Sequence, residues 1–486
     1  MDPVRHLGAA LTAIGYADGA VAERLGLDAN MVIRADDLPV HLRRLHGGDG
    51  IDTLIRLFFL LAPVMVEEAE AVLAPVGLKG LEEAGLVRGD GPLVRALVRL
   101  TPYSGLVIAS DPHLPGDLRE DSVLGLTSSA RTLASMTVRD RVASALDLGT
   151  GSGVQALLAA RHAERVVAVD LNLRALWLTE VNCHLNGISN IDCRQGDLFD
   201  PVRDEVFDLV VTNPPFVISP SRHYLFRDSA REDDGLSRAA VVGAAAVLAE
   251  GGYAHVMCNW IVGRDKPWSA PVESWVEGSG CDVLILHYET VDPLRYAAVW
   301  NDDIVSDTAR FGAALDAWLA HYRERGIEAI GMGAVVLRRR TADDNWIRTA
   351  EQTRGPSGSA GDQVRRLFTA HDVSPAAGDK AALLDRSFAL VDGHGLHQVL
   401  RFRDAAYTAE DAVIVLDDGL GLRNRVPPQA LHVLLRMDGS RPLRDLVLET
   451  AEETGLDVEA LAARTVECVG ELFELGFLEP APTDHR

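Results

Sequence analysis

Lysine is nearly absent from this chain of 486 residues. Only Lys79, Lys266 and Lys380 stand among 47 basic residues, which 71 acidic ones outnumber. The net charge is −24. A protein that grips nucleic acid regardless of sequence presents a basic face, and this composition argues against that mode of binding. The sum does not exclude a local basic groove. Cysteine is also scarce: Cys183, Cys193, Cys258, Cys281 and Cys468 are five in number, and no two form a C-x-x-C pair. A zinc site or a disulfide framework is therefore not expected, and buried free thiols are. No metal ligand is assigned. No apolar run approaches the roughly 18 residues of a membrane span. Met1 to Ala10 carries Asp2, Arg5 and His6 and has no apolar signal core, so a cytoplasmic protein without membrane contact is expected. With 47% hydrophobic and 24% charged residues, the chain has the makeup of a folded protein.

The first part, residues 1–120, reads as helices followed by a ribbon. Gly50 to Leu61 and Val64 to Leu73 carry helical apolar patterns, and Leu81 to Val87 is a short helix ending near Gly85. Val94–Leu100 and Gly105–Ser110 read as two paired strands. This is a winged-helix-like pattern. Its 11 basic and 17 acidic residues favour a scaffold or protein-docking role over DNA reading.

Residues 121–340 alternate strand and helix. Strands are expected at Ser144–Leu148, Arg165–Asp170, Asn190–Gln195, Phe207–Thr212, Tyr253–Cys258, Asp282–Tyr288 and Gly333–Leu337. Such alternation predicts an α/β fold with a mainly parallel, Rossmann-like sheet of seven strands, the last one antiparallel. Residues 341–375, with Gly355-Pro356-Ser357-Gly358-Ser359, read as a linker or exposed loop. Residues 376–486 read as a third unit, with a strand at Val413–Leu416 and helices at Gln429–Met437, Pro442–Glu453 and Val458–Leu475. That unit resembles winged-helix peptide-docking domains of the PqqD type.

The chemistry concentrates in residues 145–216. Ala145-Leu146-Asp147-Leu148-Gly149-Thr150-Gly151-Ser152-Gly153 runs a strand through three glycines into a helix. Glycine is needed there for a tight turn and for close approach of a ligand to the backbone. A dinucleotide fingerprint requires a third glycine at position 154, where this chain has Val154. The G-x-G-x-G spacing instead resembles motif I of the class I S-adenosylmethionine-dependent methyltransferases. Asp170, 21 residues past Gly149, ends the next strand, where a carboxylate can accept both ribose hydroxyls. Gly196-Asp197-Leu198-Phe199 follows the third strand. The resemblance implies that Asp197 takes the adenine amino group and that the Leu198 N–H meets the ring. It makes Asp147, Gly149, Gly151, Gly153, Asp170, Asp197 and Leu198 the candidate cofactor residues.

Asn213-Pro214-Pro215-Phe216 ends the fourth strand. It resembles the N-P-P-[FY] motif of methyltransferases that act on planar amino groups. The lone pair of such a nitrogen is delocalised, so the nitrogen is a poor nucleophile. The Asn213 side-chain oxygen and the Pro214 carbonyl can accept its two N–H bonds and stabilise the charge that develops during attack. Pro214-Pro215 makes a stiff platform, and Phe216 can stack on a flat group. The four are the candidate catalytic residues. In the following loop, Arg222, His223 and Arg227 are candidate substrate contacts.

Over residues 121–338 the chain further resembles the HemK-type glutamine methyltransferases, through Asp147 to Gly153, Gly196 to Phe199 and Asp233-Asp234-Gly235-Leu236. That implies a protein substrate, such as a translation factor, methylated on a glutamine side chain. Phe216 departs from that group's usual tyrosine and matches ribosomal-RNA guanine methyltransferases, so an RNA or DNA base amine is the alternative. A non-catalytic S-adenosylmethionine sensor is a third reading, against which the intact Asn213 clamp argues.

Overall fold

The seven apolar runs of the central segment pair into one twisted sheet, extended by an eighth strand. The computed structural model describes residues 1–27, 37–45, 48–74, 76–112, 119–221, 224–228, 231–373 and 380–481. These form two units. One comprises residues 1–133, 140–285 and 289–349, the other residues 134–139, 286–288 and 350–486.

In the first unit we number the strands of the central sheet β1 (Val142–Leu148), β2 (Ala163–Asp170), β3 (Ile191–Gln195), β4 (Phe207–Thr212), β5 (Leu248–Ile261), β6 (Cys281–Val291), β7 (Ile330–Arg339) and β8 (Ile347–Glu351). Their spatial order is β3-β2-β1-β4-β5-β7-β6-β8. β3, β2, β1, β4 and β5 run parallel, and β7 lies antiparallel to β5. The order reverses between β1 and β4, so a crevice opens at the carboxyl ends of those strands, where ligands bind in open α/β sheets. Gly149 and Asn213 sit one residue past β1 and β4, at that crevice. The expected Rossmann-like sheet with an antiparallel seventh strand is thus observed.

The N-terminal elements are packed into this unit through the helix Leu173–Leu185. Ala175, Leu178, Val181 and Leu185 share one apolar core with Val4, Leu7, Leu11, Phe58 and Leu100. The helix Asp2–Ile14 approaches so closely that a Cβ on Gly8 would lie 1.9 Å from the Leu185 carbonyl oxygen. Backbone against backbone cannot yield as a side-chain tip can. Gly8→Ala should therefore lower stability by about 1–3 kcal/mol, the scale of overpacking. Equilibrium urea unfolding checks this, and an unchanged midpoint would mean that the helix shifts freely.

One strand of this region differs from the sequence reading. Val94–Leu100 is not one strand. Leu93–Ala96 pairs with Val87–Asp90, while Arg99–Tyr103 pairs with Leu106–Ser110, so the run turns from one small sheet into another. Asn182, in the last turn of the helix Leu173–Leu185, and Asn186, its C-cap, then act as a surrogate strand for the second hairpin. Asn182 Oδ1 accepts from Ala109 N at 2.7 Å, and Asn186 Oδ1 from Val107 N at 2.8 Å. Their amide nitrogens donate back to the Ala109 and Val107 carbonyls.

The segment read as a linker is structured, its first residues belonging to the first unit and the rest to the second. Residues 341–375 contribute β8 to the sheet and form the helix Ala360–Val373. That helix buries Val364, Leu367 and Phe368, an i, i+3, i+4 stripe that the flanking glycines and prolines mask in the sequence. Gln363 fixes it by donating to Leu475 O and accepting from Leu420 N, each at 2.8 Å. The helices Pro428–Leu434, Leu443–Thr454 and Val458–Glu474 lie where helices are expected. The strand expected at Val413–Leu416 is the end of a long hairpin, His394–Arg403 with Ala406–Leu416. Asp404 and Ala405 turn it with φ of 49° and 63°. Positive φ at both central residues marks a type I′ turn, normally signalled by Asn-Gly, which explains why the sequence conceals it.

Candidate active site

The loop after β1 is built by its glycines and braced from beneath by Asp147. Gly149, Gly151 and Gly153 have φ of 68°, 57° and 79°, a region closed to most side chains. A Cβ on Gly149 would meet nothing within 4 Å, so the loop presents bare backbone to open space there. A Cβ on Gly153 would instead lie 2.9 Å from Thr179 Cγ2. Asp147, offered above as a cofactor contact, is 1% exposed and faces the loop. Its Oδ2 accepts from Thr150 Oγ1 at 2.7 Å and from Ala156 N at 2.9 Å. It shapes the loop rather than lining it. Asn182, missed in the sequence, donates to Ser152 O at 2.8 Å and so ties the same loop to the hairpin at Ala109.

Burial raises the Asp147 carboxyl from 3.8 to about 7. A carboxyl whose folded pKa lies above its unfolded one favours the fold in its protonated form. Its contribution is full below about pH 3.8 and is lost as pH rises through about 7. Both accepted bonds go to one oxygen, so an amide oxygen can replace it. Asp147→Asn should therefore flatten the fall in stability between about pH 5 and pH 8. Urea midpoints at the two pH values test this; a fall as steep as the wild type's would remove Asp147 as its source.

Asp170 ends β2 with its carboxylate pinned. Oδ2 accepts from Gly151 N at 2.9 Å, and Oδ1 from Asn172 N at 2.8 Å. Each oxygen keeps a lone pair for a ribose hydroxyl. The next residue, Leu171, is 57% exposed and offers apolar surface to a ring. Asp197 is also exposed, 3.9 Å from Arg231 Nη2. Leu198 holds φ at 46°, strain of the kind that gathers at ligand loops. Bare backbone at Gly149, a positioned carboxylate at Asp170 and a second acid at Asp197 fit S-adenosylmethionine.

Past β4, Thr212 Oγ1 donates to Leu148 O at 2.8 Å and joins the two strand ends. Asn213 Nδ2 donates to Ser129 Oγ at 3.2 Å. Asn213 Oδ1 is buried and has no partner among the described residues. Phe216 is half-buried and packs at a steep angle, 75° between ring planes, against Trp300, ring centroids 6.1 Å apart. The following residues are held by Tyr296, whose hydroxyl accepts from Ile218 N and Asn259 Nδ2, and by Tyr322, which donates to Ile218 O.

Of the three candidate substrate contacts, Arg222 and His223 lie outside the described residues. Arg227 is turned inward. It pairs with fully buried Asp228 at 2.8 Å, donates to Trp300 O at 2.9 Å and lies over Tyr224. It anchors the loop and is not a contact for substrate. Among the described residues, no group of three or more His, Cys, Asp or Glu could hold a metal ion, and no helix is long and apolar enough to cross a membrane. The five cysteines are unpaired, and burial pushes their thiols up.

The strand order, the glycine loop at the β1 edge and the acid at the tip of β2 define a Rossmann-like α/β domain with a ligand crevice at its switch point. Residues 125–263 match the family described as Methyltransferase small domain, and residues 13–97 match one described as Domain of unknown function (DUF7059). A release factor glutamine methyltransferase of Xylella fastidiosa is 34% identical over 126 residues, 24% of this chain and 46% of that protein. A ribosomal protein uL3 glutamine methyltransferase of Bradyrhizobium diazoefficiens is 43% identical over 121 residues, 24% of this chain and 34% of its own. The chain thus spans less than half the length of either relative. A methyltransferase structure from Pyrococcus furiosus aligns over 49% of this chain and 90% of that one, at 15% identity and a TM-score of 0.30.

Proposed function

We propose that this protein transfers a methyl group from S-adenosylmethionine to a planar amino nitrogen, and that the acceptor is the side-chain amide of a protein glutamine. The observation that carries the reading is Asn213 Oδ1, a buried acceptor without a partner at the mouth of β4. A buried polar atom left unpaired costs free energy unless a ligand satisfies it, and an amino N–H does so. When bound, S-adenosylmethionine supplies an electrophilic methyl group. Asn213 and the Pro214 carbonyl hold the two N–H groups, so the nitrogen lone pair faces that methyl. Both oxygens would stabilise the positive charge that develops on the nitrogen as it takes up the methyl group. The proton then leaves to water. Asp170 and Asp197 would hold the ribose and adenine, and Phe216 would cover a flat acceptor.

The names of the two relatives and the acidic charge favour a protein substrate such as a translation factor, in a cytoplasmic setting. Phe216 in place of tyrosine favours a second reading, a base amine of RNA. Both ends of the chain are acidic, which suits protein docking. Incubation of the protein with tritiated-methyl S-adenosylmethionine and a lysate of source cells lacking it decides between them. Label lost on protease and kept on ribonuclease treatment is expected. Label sensitive to ribonuclease would move the assignment to RNA, and no label would remove the enzyme reading.

A further inference from the structure

The amide of Asn213 serves the proposed transfer in only one of its two orientations. Its oxygen must face the amino group; turned over, its NH₂ would face another NH₂. The backbone at this point is stiff, since β4 ends at Thr212 and Pro214-Pro215 follow. The remaining freedom is the flip of the side-chain amide, whose two ends have nearly the same shape. Shape alone does not choose between them.

We propose that Ser129, on the helix Ser128–Met136, is the positioning residue that makes this choice, with Thr127 behind it. The inference rests on the amino-methyltransferase reading and deepens it. Ser129 Oγ lies 3.2 Å from Asn213 Nδ2 and 3.0 Å from Thr127 Oγ1. Thr127 is itself fixed, since its hydroxyl oxygen accepts from Ala130 N at 3.1 Å and its carbonyl from Arg131 N. A serine hydroxyl has one proton. With that proton given to Thr127 Oγ1, Ser129 shows Asn213 only lone pairs and can accept from nitrogen alone. The amide nitrogen is drawn to the serine, and Oδ1 is left facing the acceptor site, buried and unpaired. Without Ser129 both orientations are populated and the amide swivels. The side chain of Ser129 meets Asn213 and Thr127 and so acts through Asn213.

The test uses the full-length protein, tritiated-methyl S-adenosylmethionine and the acceptor fraction of the lysate described above. Ser129→Ala should lower kcat about tenfold, the cost of a loosened but present contact, while cofactor Kd from calorimetry stays within about twofold. Ser129→Thr, which keeps the hydroxyl, should recover most of the loss. Thr127→Val should show a smaller fall, because it frees the serine proton without removing the serine oxygen. Wild-type kcat in Ser129→Ala would overturn the proposal. So would a loss shared equally by kcat and cofactor affinity, which marks general damage to the site. Equal losses in Ser129→Ala and Ser129→Thr, with unchanged melting temperatures, would also overturn it. If the wild-type protein labels nothing, the amino-methyltransferase reading fails and this one with it. Labelling by the wild type with an unaffected Ser129→Ala removes only the role of Ser129.

Discussion

Asn213→Ala should reduce kcat on the order of 10²–10³-fold, the loss measured when one preorganised electrostatic partner is taken from a reacting centre. The cofactor Kd should barely move, because Asn213 stands at the end of β4 while Asp170 and Asp197 stand at the ends of β2 and β3. The fold should survive. The only hydrogen bond described for the Asn213 side chain is the one at 3.2 Å to half-buried Ser129. Asn213→Asp is the sharper probe. It keeps an acceptor of the same shape but places a charge where Oδ1 is buried, which costs desolvation. A carboxylate also has no nitrogen to give Ser129. Rates from tritiated-methyl transfer, with cofactor affinity from calorimetry, separate the two effects. Full activity in Asn213→Ala would sink the amino-nitrogen assignment. An oxygen, sulfur or carbon acceptor does not need two N–H acceptors.

Asp170→Ala should weaken S-adenosylmethionine binding by about 1.5–3 kcal/mol, the range for hydrogen bonds to a charged acceptor. That corresponds to roughly 10- to 150-fold in Kd. Two effects add here. The ribose hydroxyls lose their acceptor, and Gly151 N loses the carboxylate that holds the glycine loop. Burial raises the Asp170 carboxyl above the usual aspartate range. Ribose hydroxyls donate to the ionised form, so affinity is full above that raised pKa and lost as pH falls through it. Calorimetry of the wild type at decreasing pH should show weakening sooner than an ordinary aspartate would give, and Asp170→Ala should lose that dependence. Unchanged affinity in the variant would remove Asp170 from the ribose role. Saturable NAD binding would overturn the cofactor itself, because Val154 is buried at the helix start where the dinucleotide loop needs glycine.

Much of the site was legible because its signals are local. Glycine spacing depends on backbone conformations that few other residues adopt, and Gly149, Gly151 and Gly153 all have positive φ. Asp170 and Asn213 became candidates because each stands at the end of an apolar run read as a strand and matches a motif of the methyltransferases that the segment resembles. Asp147 shows the limit of that reasoning. Its place in the pattern puts it beside the cofactor loop, but the direction of its side chain depends on Thr150 and on the Ala156 amide. Arg227 misleads for a similar reason. An arginine in a polar loop reads as exposed until its buried partner, Asp228, is known.

Seven strands along the chain, an antiparallel late strand, the glycine loop and the positions of the acids and of Asn213 were legible in the sequence by itself, whereas the spatial order of the strands and the eighth strand were not. The strands and the glycine loop follow from local periodicity and spacing, and the acids and Asn213 from motifs a few residues long that resemble those of known methyltransferases. Tertiary structure alone decided which polar atoms are already paired and which are left over. Asn182 bonds both Ala109 and Ser152, partners 73 and 30 residues away, so nothing beside it in the chain announces the role. Ser129 reaches Asn213 across 84 residues. Hydrogen-bond satisfaction is settled by neighbours in space. The unpaired Oδ1 of Asn213, on which the proposed chemistry turns, therefore became visible only when the distant strands and helices had come together.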